Sequence, residues 1–292
     1  MRGPARSIRS RRDAAKDIRR LRFVERRRRP ARMPPAINLR RQERAHVAHI
    51  MALIVPYKEL VRRELLPLLD IIVSESKVRV DDPTDIIERI FNGIRVRFAT
   101  VFTIKAIERV TEQTAQTIDR GSRDLFRRQF RTVFNADPVA AEPWLEQEVN
   151  TFVAENVSLI KTLPEEALAD IEQMIFRDAR RGLSSQQIRA NILEKFKTTK
   201  ARAQLIARDQ IAKFNGRLSE LRQRQTGITR YTWQTSEDGR VRPDHARLNN
   251  EVFNWDEPPI TVRSGKRAGE RNHPGQDIQC RCQALPVIGD IL

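Results

Sequence analysis

Residues 229–250 read TRYTWQTSEDGRVRPDHARLNN, and this stretch decides the fold. Thr229 to Thr235 are rich in aromatic and β-branched residues, the composition of a strand. Glu237-Asp238-Gly239 follows as a turn. Upstream of Gly227 the apolar residues recur at three-to-four spacing, which is the period of helices. Downstream, Pro258-Pro259, Gly265, Gly269, Pro274 and Gly275 mark loops. Gln283 to Ile288 reads as a last strand, which Pro286 confines to a sheet edge. The expected class is α+β: a mainly α-helical N-terminal body with a small C-terminal α+β module of short strands and loops.

Moving back from Gly227, a helix with Ile211, Phe214, Leu218 and Leu221 as its seam is expected from about Thr199 to Gln225. Before it, Ser184 and Gln187 form a capping box, with Leu183 and Ile188 at the staple positions. Pro164 reads as a helix start with Glu165 and Glu166 in its first turn, and Arg180-Arg181-Gly182 as that helix's end. Pro143 opens another helix carrying Leu145, Val149, Phe152, Val153, Val157 and Ile160, and Leu125 to Phe134 is a shorter amphipathic one. Asp82-Pro83 is a helix start, followed by a stripe of Ile86, Ile87, Ile90, Phe91, Ile94, Phe98, Val101 and Phe102 with Gly93 inside it. The expected organisation is a basic, flexible arm over 1–42, a helical domain over 43–162, and a C-terminal domain over 163–292. The last comprises helices in 164–226 and a β/loop module in 228–292.

The 292 residues carry a formal charge of +17, and it is unevenly placed. Residues 1–44 hold seventeen Arg or Lys against four acids, so they carry +13 of that total. Arg19, Arg20 and the run Arg26, Arg27, Arg28, Arg29 are the expected nucleic-acid contacts. Cations of this density bind polyanions by releasing counterions, strongly at low salt and without regard to sequence. An anionic membrane and a merely solubilising tail are the competing readings. No apolar core follows the basic start as in a secretory signal, and the longest apolar stretch, Ile50 to Val55, is too short for a bilayer. The expectation is a protein made in a reducing cytoplasm, with no membrane partner.

The chemistry concentrates at the C-terminal end. Cys280 and Cys282 sit at C-x-C spacing, which on an extended segment puts both side chains on one face. Two thiolates on one face bind one borderline or soft cation. His245 and His273 are the nearby imidazoles, and together the four residues would make a structural Cys2His2 zinc set. Inert burial of two small side chains and a strained disulfide are the other readings. Asp238, Arg240, Arg242, Asp244 and His245 form a second cluster. In it Asp238 and His245 could act as acid and base, with Arg242 on a phosphate. The plainer alternative has Asp238 capping the turn, the arginines in solvent and His245 packed. His46 and His49, at i and i+3, read as ordinary histidines, and Trp144, Trp233 and Trp255 as packing residues.

Four segments in order carry a resemblance. They are GLSSQQIRANI (182–192), ARAQLIARDQIAKFNGRLSELRQRQTGITRYTW (201–233), DGRVRPDHARLNN (238–250) and HPGQDIQCRC (273–282). This series resembles the phage head morphogenesis family, the Mu F-like minor head proteins of tailed phages. Asp238, Arg242, His245, Cys280 and Cys282 stand at the family's motif positions. Asn249-Asn250 replaces a glycine common there, and Asn tolerates left-handed backbone; Asp209 replaces a threonine.

The resemblance implies a minor head (capsid) protein in the phage head interior or portal region of the virion, and in host cytoplasm during assembly. Its partners would be portal protein, capsid or procapsid and double-stranded DNA, and it would act in head assembly and in genome packaging or delivery. No enzymatic activity is implied. The alternative is a metal-dependent enzyme acting on nucleic acid or another phosphorylated substrate.

Overall fold

The computed structural model describes residues 34–78, 84–134, 138 and 141–288. Arg19, Arg20, Arg26, Arg27, Arg28 and Arg29 of the basic arm lie outside them, as do Asp82 and Pro83. The elements are α1 (Arg40–Leu60), α2 (Leu69–Val78), α3 (Thr84–Ala99), α4 (Ile104–Phe134), α5 (Leu145–Arg180), α6 (Ser185–Gln225), β1 (Arg230–Gln234), α7 (Pro243–Ala246), β2 (Val252–Asn254) and β3 (Gln283–Pro286). The class is α+β and mainly helical, as the change of period at Gly227 implies.

The chain forms two compact units, and neither is contiguous in sequence. The described residues of one lie in 41–114 and 151–207, and those of the other in 34–40, 115–150 and 208–288. The divisions at 114/115, 150/151 and 207/208 fall inside α4, α5 and α6. The sequence division at 42/43 and 162/163 follows the chain instead, and 162/163 falls within α5.

The described residues of the first unit form helices and the turns between them. Its core holds Ile50, Ile54, Tyr57, Leu65, Leu69, Ile87, Phe91, Ile94, Ile160, Ile171, Ile175, Ile188 and Ile192. Ile87, Ile90, Phe91, Ile94, Phe98 and Phe102 of the stripe read on α3 face this core, whereas Val101 is 53% exposed because the helix stops at Ala99 and the chain turns. Between α1 and α2 the ladder widens to a π-turn over Val61–Leu65 and tightens to a 3-10 turn over Leu66–Leu68. Pro67, which has no N–H to give, lies in the 3-10 turn. Arg189 donates to the Leu66 carbonyl at 3.0 Å.

Two helix starts read from the sequence are interior positions. Pro164 does not open a helix but lies inside the 36-residue α5. Buried Ile160, Leu163, Ala167 and Leu168 on both sides of it hold the helix through the missing hydrogen bond. The helix expected from Thr199 is likewise the second part of the 41-residue α6. The caps agree with the sequence reading. Ser184 N donates to Gln187 Oε1 at 2.9 Å and Gln187 N to Ser184 Oγ at 3.3 Å, the reciprocal pair of a capping box. Gly182 has φ 75°, and the Leu183 and Gly182 amides return to Asp178 and Ala179 carbonyls at 3.1 and 2.9 Å, a Schellman end.

The second unit carries the sheet, antiparallel in the order β2-β1-β3. Tyr231 pairs with Phe253 on β2 and Pro286 on β3, and Trp233 pairs with Ala284. Alternation along β1 puts Tyr231 and Trp233 on the buried face, where they pack with Leu248, Trp255, Cys280 and Cys282. Elsewhere in this unit Arg222 is 2% exposed. It is neutralised by Glu142 at 2.7 Å and by Asp119, and donates to Ser122 Oγ at 2.8 Å. A buried guanidinium is stable only with such partners.

Candidate metal centre and basic cavity

The loop before β3 is fixed to α6 by backbone contact. A methyl on Gly216 would lie 2.7 Å from the Pro274 carbonyl oxygen, and one on Gly275 would lie 2.7 Å from that of Ala212. Only glycines permit this approach, and Gly275 also needs φ 88°. Further along, Gln279 takes φ 54°, uncommon for a residue with a side chain. Asp209 Oδ1 accepts its amide at 2.8 Å, and Arg208 donates to its Oε1 at 3.1 Å. These contacts deliver Cys280 and Cys282 to the core, 4% and 5% exposed.

His245 arrives from the opposite side on the one-turn α7, where Pro243 presets the first helical position. Asn250, with φ 67°, then returns its amide to the Trp233 carbonyl at 2.7 Å. The left-handed turn expected at Asn249-Asn250 is therefore present. The imidazole is 2% exposed and stands edge-on to Trp233. Its Nδ1 lies 3.5 Å from Cys280 Sγ and 3.6 Å from Cys282 Sγ. Its Nε2 lies 3.1 Å from Asp277 Oδ2. Asp277, whose side chain is fully buried, also accepts from Arg242 at 2.5 Å and from Arg267 at 2.7 Å.

This arrangement favours charge. Burial works against the Asp277 carboxylate, but the Arg267 hydrogen bond and the Arg242 charge outweigh it and hold the carboxyl below its usual range. For His245, burial opposes the imidazolium, while the Cys280 sulfur and Asp277 raise its pKa overall. The hydrogen bond from Cys282 draws Cys280 well below an ordinary thiol against the effect of burial, with His245 adding to it; Cys282, donor to Cys280 and buried, is raised.

The structure does not bring every expected residue here. His273 is not near the thiols: its Nδ1 bonds the Tyr231 hydroxyl at 2.9 Å and its ring packs on Trp255, so it is a structural histidine of the sheet core. Asp238 is not the partner of His245. It caps its own turn, accepting the Arg240 amide at 3.1 Å, and pairs with Arg40 at 2.7 Å and Arg281 at 3.6 Å. Arg242 is on Asp277, where sequence reading put a phosphate. The carboxylate that holds His245 is Asp277. An acid three residues before a C-x-C pair was the available signal.

The donor set fits zinc. Bonds of about 2.0–2.1 Å to nitrogen and 2.3 Å to sulfur at tetrahedral angles give N···S edges of roughly 3.5 Å. The His245 Nδ1 to sulfur separations match that edge, and the three donor atoms lie within 4.8 Å of one another. The carboxylate on the far imidazole nitrogen orients the ring as metal-bound histidines require. Beside the cluster lies a cavity of about 220 Å³, lined by His245, Cys280 and Cys282 and by Arg208, Asp238, Arg240, Arg242 and Arg281.

Comparison with known proteins gives two similarities. Residues 169–285 match the family described as phage Mu protein F like protein. An uncharacterized protein of Haemophilus influenzae is 34% identical over 146 residues, 50% of this chain and 31% of its own length. The chain thus spans about a third of the curated relative it matches. No solved structure matches.

Proposed function

We propose, from the match of residues 169–285 to the phage Mu F-like family, that this chain is a minor head protein of a tailed phage or prophage. It acts in head assembly with the portal and in genome packaging or delivery. The family match carries the reading: it covers the last part of α5, all of α6 and the sheet with its buried thiol–imidazole cluster. Portal protein and the capsid or procapsid are the protein partners, and double-stranded DNA is the nucleic-acid partner. The protein resides in the virion head and, during assembly, in host cytoplasm. Among the described residues no helix is long and apolar enough to cross a membrane.

Charge supports the DNA contact. The N-terminal residues concentrate +13 of the formal +17, and a packaged genome is a dense polyanion. The segment that continues the arm is tied to the C-terminal module. Ile37 N donates to Gln283 Oε1 at 3.0 Å, and Arg40 pairs with Asp238 at 2.7 Å. Fluorescence anisotropy with duplexes of unrelated sequence tests the contact. Full-length protein is expected to bind all of them with similar affinity that falls steeply with salt, and deletion of residues 1–33 to remove most of the affinity and flatten the salt slope. Undiminished binding by the truncated chain at equal salt would remove the arm from the account.

A second reading, a metal-dependent enzyme acting on phosphorylated substrates, draws on the arginine-lined cavity beside the His245–Asp277 pair. It requires turnover that a chelator abolishes and that His245→Ala loses while the fold persists.

A further inference from the structure

His245, Cys280 and Cys282 offer three donor atoms, and tetrahedral zinc takes four ligands. Among the described residues no other Cys, His, Asp or Glu joins this group. Asp277 is engaged by the far nitrogen of His245 and by Arg242 and Arg267. Asp238 is held by Arg40 and Arg281. All three donor residues, however, line the cavity of about 220 Å³, so a fourth ligand has room beside them.

The rest of that cavity is basic. Arg208, Arg240, Arg242 and Arg281 face one carboxylate, Asp238. Two thiolates neutralise a divalent ion, so metal and ligands add no charge, and the wall keeps its positive excess. Arg242 is occupied by Asp277 and the Ile278 carbonyl. Arg240 has no ion pair among the described residues. A guanidinium fork beside an open metal position matches an oxyanion, one oxygen on the metal and the others on N–H donors.

We propose that the chain holds a zinc ion on His245, Cys280 and Cys282, and that the ion's fourth position takes an oxygen of a phosphate-class oxyanion held by Arg240. This goes beyond the head-assembly reading and stands or falls separately from it. Elemental analysis of the purified full chain is expected to give about one zinc per chain. The cobalt-substituted protein is expected to show thiolate-to-metal charge transfer, with visible bands that shift saturably as inorganic phosphate is added.

Arg240→Gln, which removes an exposed side chain, is expected to weaken that titration by roughly tenfold with unchanged melting temperature. Repeating the titration with duplex DNA separates the sources: a shift with DNA assigns the oxyanion to its backbone, and a shift with inorganic phosphate alone assigns it to a free ion. Protein that binds no metal overturns the proposal. So do cobalt bands that phosphate leaves unmoved, which would mean a closed structural site, and an Arg240→Gln titration equal to wild type.

Discussion

Three buried imidazoles show how little a histidine's sequence neighbourhood says about its role. His245, two thiols and a carboxylate converge, and the C-x-C spacing made the thiols legible. Asp277 was not legible, because a carboxylate in a loop reads as solvated until Arg242 and Arg267 are seen to neutralise it. His273 was misread for the converse reason, since nothing in its spacing shows that it faces Tyr231. His46 was read as ordinary and is a buried structural residue, bonded to Asn156 at 3.2 Å and Thr114 at 2.9 Å. Burial pushes its pKa down to about 4 from 6.5. Its neutral form is the folded form, so between those values the unfolded chain binds the proton and the native chain does not. Stability from this group is complete above pH 6.5 and is lost as pH falls toward 4, by roughly 3 kcal/mol for the 2.5-unit difference. Urea denaturation at several pH values should show this loss in wild type and a flatter profile in His46→Gln; equal slopes would mean that His46 titrates normally in the folded state.

At the scale of elements, ends were easier to read than lengths. The capping box at Ser184 and the glycine ends at Gly182 and Gly227 are local chemistry, and local chemistry is written in neighbouring residues. In one dimension the 36-residue α5 looks broken at Pro164 and the 41-residue α6 at about Thr199. Continuity comes from tertiary burial, which overrides local preference. The three-residue β2 has no signal of its own in the sequence; it exists because β1 offers it an edge. Two helical glycines separate packing from propensity. Gly216→Ala would drive a methyl against the Pro274 carbonyl and is expected to cost about 1–3 kcal/mol and displace the loop carrying the cysteines. Gly93→Ala meets nothing closer than the end of the flexible Arg97 side chain at 3.6 Å, and is expected to stabilise by about 0.5–1 kcal/mol. Thermal or denaturant melts of the two variants should move in opposite directions. If both move the same way, α6 and the loop are not in the close contact described.

For the whole molecule, the α+β class followed from one change of period, but the grouping of helices did not. Periodicity gives the buried face of a helix and not its partner, so compact units built from separated segments stay hidden in the sequence. The charge asymmetry, by contrast, is plain in composition, and with the family match it supports the proposed place of the chain in a phage head. The direct measurement is quantitative mass spectrometry of gradient-purified procapsids and virions from the phage or prophage that encodes the chain. A few copies per particle are expected in wild type, and loss of the chain from particles when residues 169–285 are deleted. Particles with normal portal and shell but none of this chain would contradict it.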